Sequence, residues 1–288
     1  MKVDKLRTVI IYIIIILLGL VCLLPLLNIV AISFSSSAAV EGNMVGLIPV
    51  GFSTAAYKKI LEDSQFWHSF LISVERVVLA LIINFVLIAY PLSKTNAQFR
   101  GRNIYANLMI FAMLFNGGMI PTFLVVKSYG LLNTVWALVL PGAVPIFNVI
   151  LVMNFFAAVP KELEEAAFID GANPLQVLTK IFIPISKPVL ATVSLFSIVG
   201  SWNDFYSGLI YMSKAAYYPL MTYIQSLQIN VEDLIKQGNL SAVVDSASLG
   251  NTNLNAAKIV IAVIPLLLIY PLLQRYFVSG IVVGSVKG

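Results

Sequence analysis

At 288 residues, with 59% hydrophobic and only 11% charged side chains, the chain departs far from soluble usage, where apolar residues make up about 45–50% and charged ones about 25%. That balance, with a mean hydropathy of +0.94, excludes an ordinary soluble domain and points to a protein that crosses a bilayer several times. A net charge of +5 then reflects basic loops on one side of a membrane, the positive-inside rule, rather than a nucleic-acid partner.

Runs of about 20 apolar residues suffice to cross a hydrocarbon core about 30 Å thick. Taken in chain order, such runs fall at 9–32, 68–90, 104–126, 135–158, 189–212 and 259–273, six in all. With both termini placed in the cytoplasm, eleven Lys and Arg lie on inside segments and six on outside segments, with Arg76 inside a span. The expected fold is therefore an all-α integral membrane protein with six transmembrane helices and both termini cytoplasmic. A cleaved signal peptide is the alternative for the N-terminus, with SSSAAV at 35–40 as a cleavage zone. Its apolar core of roughly 24 residues exceeds the roughly 7–15 of a signal h-region, so the first span is expected to be retained.

The segments between spans add detail. Residues 1–33 hold the first helix and 34–67 an extracytoplasmic segment, ending in an amphipathic helix pattern, TAAYKKILEDSQ. Residues 68–280 form the main transmembrane domain, with a cytoplasmic loop at 159–188 and an extracytoplasmic loop at 213–258; 281–288 is a cytoplasmic tail. The loop at 213–258 opens with KAAYYPLMTYIQSLQ, fit to rest on a membrane or protein surface, and closes with SAVVDSASLGNTNLNAA, which has the composition of a mobile loop. Helix breakers cluster at Gly117, Gly118 and Pro121 in the third span and at Pro141, Gly142 and Pro145 in the fourth. Broken backbone at membrane depth is tolerated where it lines a cavity or is packed in protein.

Few residues suit chemistry. One cysteine, Cys22, and one histidine, His68, occur, so neither a disulfide nor a histidine-based metal site is expected. Cys22 reads as a small packing residue and His68, beside Trp67, as an interfacial ring. No catalytic residue, metal or cofactor is assigned to this chain. Its G-x-x-x-x-G-K-[ST] phosphate loop is absent, so ATP binding by that route is not expected here. Ionisable and amide groups inside spans are functional candidates: Asn116, Asn148, Asn154, Trp202, Asn203, Asp204 and Tyr206. Amides can hold sugar hydroxyls and aromatic faces can stack on pyranose rings, while the same side chains can equally join helices to one another. Glu75 and Arg76 are adjacent, do not face each other on a helix, and need separate partners.

The 159–188 loop is the most informative. Pro160-Lys161-Glu162 suit a first helical turn, with Pro at N1 and acids at the positive helix end. LEEAAFI propagates the helix and Asp170-Gly171 stops it. Asn173, Pro174 and Gln176 then open a second helix with a capping box, and Ile183-Pro184 and Lys187-Pro188 end it. The sequence thus encodes helix, sharp turn, helix.

Glu165-Ala166-Ala167, three residues, Gly171, nine residues, then Ile181-Phe182-Ile183-Pro184 resembles the EAA loop of membrane subunits of bacterial ATP-binding cassette importers, EAA-x3-G-x9-I-x-L-P. Ile183 stands where that pattern has Leu. FNGGMIPTF at 115–123, SWNDF at 201–205 and QRYFVSGIVVGSVKG at 274–288 extend the resemblance over nearly the whole chain. They are similar to carbohydrate-importer permeases, the smaller maltose permease subunit and Gram-positive oligosaccharide permeases among them. The resemblance implies a type I importer permease in the bacterial cell membrane. Its partners would be a second permease subunit that is a different chain, two copies of an ATPase subunit carrying ATP and Mg2+, an extracytoplasmic binding protein and an oligosaccharide. It also implies that Glu164, Glu165, Ala166, Ala167, Asp170, Gly171, Ile183 and Pro184 couple to the ATPase, with Glu165 pairing to a basic group there, and that the C-terminal tail contacts the ATPase dimer. A continuation of the sixth span along the interface is the alternative for that tail. An ion-coupled carrier would leave the loop unexplained and commonly shows internal repeats, none of which is evident. An intramembrane protease would need ligands or an aspartate pair that the chain lacks.

Overall fold

The computed structural model describes residues 2–83, 86–115, 117–227 and 252–284. Among the described residues the chain is helical, with no strand. In chain order the helices are α1 (Lys2–Ser33), α2 (Ser37–Glu41), α3 (Ala55–Glu62), α4 (Ser64–Ile82), α5 (Val86–Leu92), α6 (Arg102–Leu114), α7 (Met119–Ser128), α8 (Val135–Val139), α9 (Ile146–Ala157), α10 (Lys161–Ile169), α11 (Pro174–Val177), α12 (Ile183–Ile185), α13 (Lys187–Asn203) and α14 (Tyr206–Tyr211). They are followed by α15 (220–227) and α16 (Thr252–Gly284).

By length and composition, α1, α4 and α16 can each cross a membrane alone, and three bent helix pairs bring the total to six. Two of the expected spans are broken where their sequence breakers lie. The third divides into α6 and α7, with Gly118 at φ +89 before the second piece. The fourth runs as α8, a short 3-10 turn at Leu140–Gly142, and α9, bent by 50°. Pro145 precedes α9 in extended backbone, because a proline cannot donate into the preceding turn.

Three boundaries differ from the expectation. The second span starts earlier, at Ser64, because Asp63 accepts a hydrogen bond from the Phe66 amide at 3.0 Å and caps the helix. The fifth begins at Lys187 and stops at Asn203, so Asp204 sits at a break before α14 rather than within a continuous helix. The sixth is a 33-residue helix from Thr252; residues 252–258, expected as loop, are its first two turns, and the end of the SAVVDSASLGNTNLNAA tract is helical. The rest of that tract lies outside the described residues, as do Asn116 and the tail at 285–288. Helix α16 continues past Arg275 to Gly284.

The chain forms two compact units, residues 1–68 with 223–265 and residues 69–222 with 266–288. In the first, α1 leaves its apolar surface from Arg7 to Leu27 uncovered while Ala31 and Ser33 at its end are buried, and Cys22 is exposed there rather than packed. Amphipathic α3 buries Ala56 and Ile60 and exposes Lys58, Lys59 and Leu61. Phe34 stacks on Tyr57 and Phe52, with centroids 4.7 and 5.7 Å apart. Gly51 has φ +62 and passes so close to Ser36 that a Cβ would strike its hydroxyl.

A polar hub closes this unit. Lys258, only 3% exposed, donates to Asp63 Oδ2 at 2.7 Å and to Tyr223 Oη at 3.2 Å, and Tyr223 donates to the same carboxylate at 2.9 Å. Burial pushes the Asp63 carboxyl up, but the bonds from Lys258, the Phe66 amide and Tyr223 outweigh it and hold it below the ordinary carboxylate value. Burial and the Asp63 charge push the Tyr223 phenol up. A depressed folded-state carboxyl contributes stability that is present above the unfolded value of about 3.9 and lost as pH falls through the folded value. The expected result is that wild type and Asp63→Asn differ in thermal stability in detergent at neutral pH and converge below about pH 4. A constant difference across that window would remove Asp63 as the titrating group.

The second unit packs around one apolar cluster, joining Ala89, Tyr90 and Leu92 of α5, Val149, Val152 and Phe156 of α9, Val177, Leu178 and Phe182 next to α11, and Val189 and Val193 of α13. Tyr90, Phe156 and Phe182 meet edge to face, with centroids 5.1–6.3 Å apart. In the aromatic segment after α14, residues 214–217 are exposed and the chain turns inward beyond them. Leu220 and Thr222 are fully buried, and the Leu220 amide donates to Ser73 Oγ at 2.8 Å.

Candidate coupling loop and polar cavity

Helix α10 begins one residue later than the proline rule suggests: Pro160 takes the N-cap place and Lys161 is the first helical residue. The helix ends at Asp170, whose amide donates to the Ala166 carbonyl. Gly171 follows at φ +80, a left-handed conformation that carries no steric cost for glycine. The Ala172 amide returns to the Ala167 carbonyl at 2.9 Å. Asn173 and Gln176 then form the expected reciprocal box, each side chain 2.9 Å from the other's backbone amide. Beyond α11 the chain widens into a π turn at Leu178–Phe182. Ile183 and Pro184 form α12, and the bend between 174–185 and α13 is 85°. The sequence did not signal the π turn.

The EAA residues divide between two faces. Glu165 and Ala166 are exposed, Ala167 is half-buried against the apolar cluster, and Asp170 and Gly171 are exposed. Glu164 is the exception, buried at 8%. Expected with Glu165 among the ATPase-coupling residues, it turns inward toward a cation. Lys94 Nζ donates to Glu164 Oε2 at 2.7 Å and lies 4.2 and 4.1 Å from the ring centroids of Tyr90 and Phe182. Burial pushes the Lys94 ammonium down, and the bond and charge of Glu164 offset part of that. Lys94 carried no signal in the sequence beyond one loop charge. On the outer side of the loop, Ala167, Asp170, Gly171, Ala172, Gln176, Val177, Lys180 and Ile181 line a groove of about 480 Å³. Exposed Glu165, small Ala166 and this groove present a helix end that another protein can grip closely.

A second feature lies where α4, α8, α9 and α13 meet. A cavity of about 380 Å³ is lined by Arg76, Asn148, Ser197, Ser201 and Asp204 together with apolar and glycine surface. Arg76, 5% exposed, donates through one terminal nitrogen to the Asp204 carbonyl at 3.0 Å and through the other to its carboxylate at 2.5 Å; its buried Nε finds no hydrogen-bond partner among the described residues. Asp204 also accepts from the Tyr206 and Ser207 amides at 3.0 and 3.1 Å, capping α14. Asn148 donates to Ser197 Oγ at 3.3 Å. Of the expected pathway residues, Asn148 and Asp204 come together here. Trp202 is buried and meets the Phe70 ring edge-on. Asn154, Asn203 and Tyr206 are exposed elsewhere. Glu75 faces outward while Arg76 faces in, so adjacency did separate their partners. Arg76 was the ionisable group inside a span that sequence reasoning left without a role.

Comparisons with known proteins agree on the class. The family model described as "Binding-protein-dependent transport system inner membrane component" matches residues 2–283. Protein LplC of Bacillus subtilis (strain 168) is 41% identical over 273 residues, 94% of this chain and 91% of its own length. The polygalacturonan/rhamnogalacturonan transport system permease protein YtcP of the same organism is 38% identical over 288 residues, 99% of each. Among solved structures, a chain of a bacterial ABC transporter involved in the import of the acidic polysaccharide alginate superposes with a TM-score of 0.83 at 32% identity, covering 96% of this chain and 98% of that one. The fold is that of a type I importer permease, and the helix-turn-helix loop occurs in a chain that is a permease and not an ATPase. The chain thus belongs to the inner-membrane components of binding-protein-dependent transport systems, the membrane-spanning permease subunits that work with a binding protein, an ATPase and a second permease.

Proposed function

We propose that this permease carries an oligosaccharide, delivered by an extracytoplasmic binding protein, across the cell membrane, and that the 159–188 loop couples it to a separate ATPase. The single observation that carries the coupling is the outward face of α10. Glu165 and Ala166 are exposed beside a groove that the left-handed Gly171 turn shapes. Glu165 offers a carboxylate to a basic group, and the small alanines admit a close neighbour. Two ATPase copies, holding ATP and Mg2+, would act on this loop and its counterpart in a second, different permease chain. Both termini are then cytoplasmic, with 159–188 on the same side, and this chain itself holds no nucleotide or metal.

The sugar class draws on the relatives named for polygalacturonan/rhamnogalacturonan transport and alginate import. The cavity lined by Asn148 and Asp204 would supply hydroxyl-binding groups, and Asn116, Asn154, Trp202, Asn203 and Tyr206 would be further pathway residues. Purifying the tagged chain with its partners, then screening the co-purifying binding protein against oligosaccharides, tests the reading. An ATPase, a second permease and a sugar-binding protein are expected; a binding protein that takes only amino acids or ions would overturn the substrate class.

A further inference from the structure

Lys94 follows α5 directly and Glu164 lies on α10, 70 residues away, yet their side chains meet with both only 11% exposed. A loop lysine needed only to orient the chain in the membrane would stay in water, and so would an acid needed only at a helix N-terminus. Both have been withdrawn from solvent. A buried ion pair contributes little net stability because desolvation consumes its Coulomb gain; its best-attested use is to fix register.

The surroundings show what register is fixed. The Lys94 ammonium is enclosed by one carboxylate and two ring faces. Tyr90 belongs to α5, Phe182 to the π turn and Glu164 to α10. The apolar cluster already unites α5, α9, the π turn and α13, but α10 reaches it only through half-buried Ala167. Apolar contact has no preferred direction and permits sliding, whereas a hydrogen-bonded ion pair holds one geometry.

We infer that Lys94 and Glu164 form a positioning pin, which makes α10 and the cytoplasmic end of α5 move as one body when an ATPase subunit displaces α10. The inference rests on reading 159–188 as the ATPase-docking loop. Displacement of α10 is passed through Glu164 to Lys94, and so to the foot of the second span, without waiting for the apolar cluster to repack.

The test uses the complete complex in nanodiscs. In a Cys22→Ser background, spin labels are placed at Asn96→Cys, exposed just past Lys94, and at Ile169→Cys, 87% exposed on α10. The probe is the non-hydrolysable ATP analogue AMP-PNP with Mg2+. With Lys94 and Glu164 intact, one distance distribution is expected, unmoved by nucleotide. Lys94→Arg should behave alike, since guanidinium pairs with carboxylate and stacks on rings. Lys94→Met with Glu164→Leu removes both charges while filling the space; the complex should still co-purify with its ATPase but show a second, nucleotide-dependent distance. If that double variant fails to fold, Glu164→Gln, which keeps size and an acceptor, is expected to show the same second population in part. A single nucleotide-independent distance in the folded charge-removal variants would overturn the inference, and so would a nucleotide-dependent shift with the pair intact. Failure of the ATPase to co-purify with the intact chain would defeat the docking reading and this inference with it.

Discussion

Glu165→Lys is expected to lower binding-protein-stimulated ATPase activity of the assembled transporter by on the order of ten- to a hundredfold, while leaving membrane insertion of the chain intact. Removing one partner of a buried hydrogen-bonded charge pair at an interface costs about 2–5 kcal/mol, and reversing its sign adds repulsion. Within this chain the same change costs little, because Glu165 is exposed on α10. Gly171→Val should act in the same direction by another route. Nothing lies within 4 Å of a Cβ at this glycine, so the added methyls meet no neighbour. The strain comes from φ +80, which a β-branched residue adopts at a cost of about 1–3 kcal/mol, and the turn would relax by swinging α10 away from α11. Membrane fractionation reports insertion, and ATP hydrolysis with and without the binding protein reports coupling. Full stimulation in both variants would end the docking reading.

Arg76→Met is expected to destabilise the permease by about 1–3 kcal/mol, because the Asp204 carboxylate it leaves behind has a side chain 28% exposed and keeps the Ser207 hydroxyl and two backbone amides as donors. Asp204→Asn should cost more, about 3–5 kcal/mol, because it leaves a buried charge uncompensated. It retains an oxygen that can cap α14, so its loss comes chiefly from the guanidinium left behind at 5% exposure. With both changes together the two losses should not add, because neither charge then remains to be desolvated. Detergent-induced unfolding of the two single variants and the double variant gives the coupling directly. Additivity within about 0.5 kcal/mol would show that the 2.5 Å pair contributes no mutual stabilisation.

Much of the candidate coupling site was legible from residues 160–184 alone. Gly171 stops α10 because its backbone tolerates positive φ; Asn173 and Gln176 start α11 because each satisfies the other's free amide. Those are interactions between near neighbours, and sequence spacing encodes them directly. The breaks at 140–145 and at Gly117 and Gly118 were legible for the same reason, since proline and glycine act on their own backbone. Boundaries set by distant partners were not. Lys258 draws residues 252–258 into α16 through Asp63, which lies 195 residues earlier. Asp204 ends the fifth span at a site fixed by Arg76, 128 residues away.

Composition and local capping therefore determined by themselves a polytopic helical chain with a helix-turn-helix loop, because hydropathy and capping depend only on residues close in the chain, and the EAA spacing carried the resemblance to importer permeases. Which face each side chain took was decided by the tertiary structure. Glu164 and Glu165 are adjacent acids with nothing in their spacing to rank them. Packing set Lys94, Tyr90 and Phe182 beneath one of them, and left the other exposed. A buried charge requires a counter-charge at a few ångströms, and only the folded chain brings residues 94 and 164 within that distance.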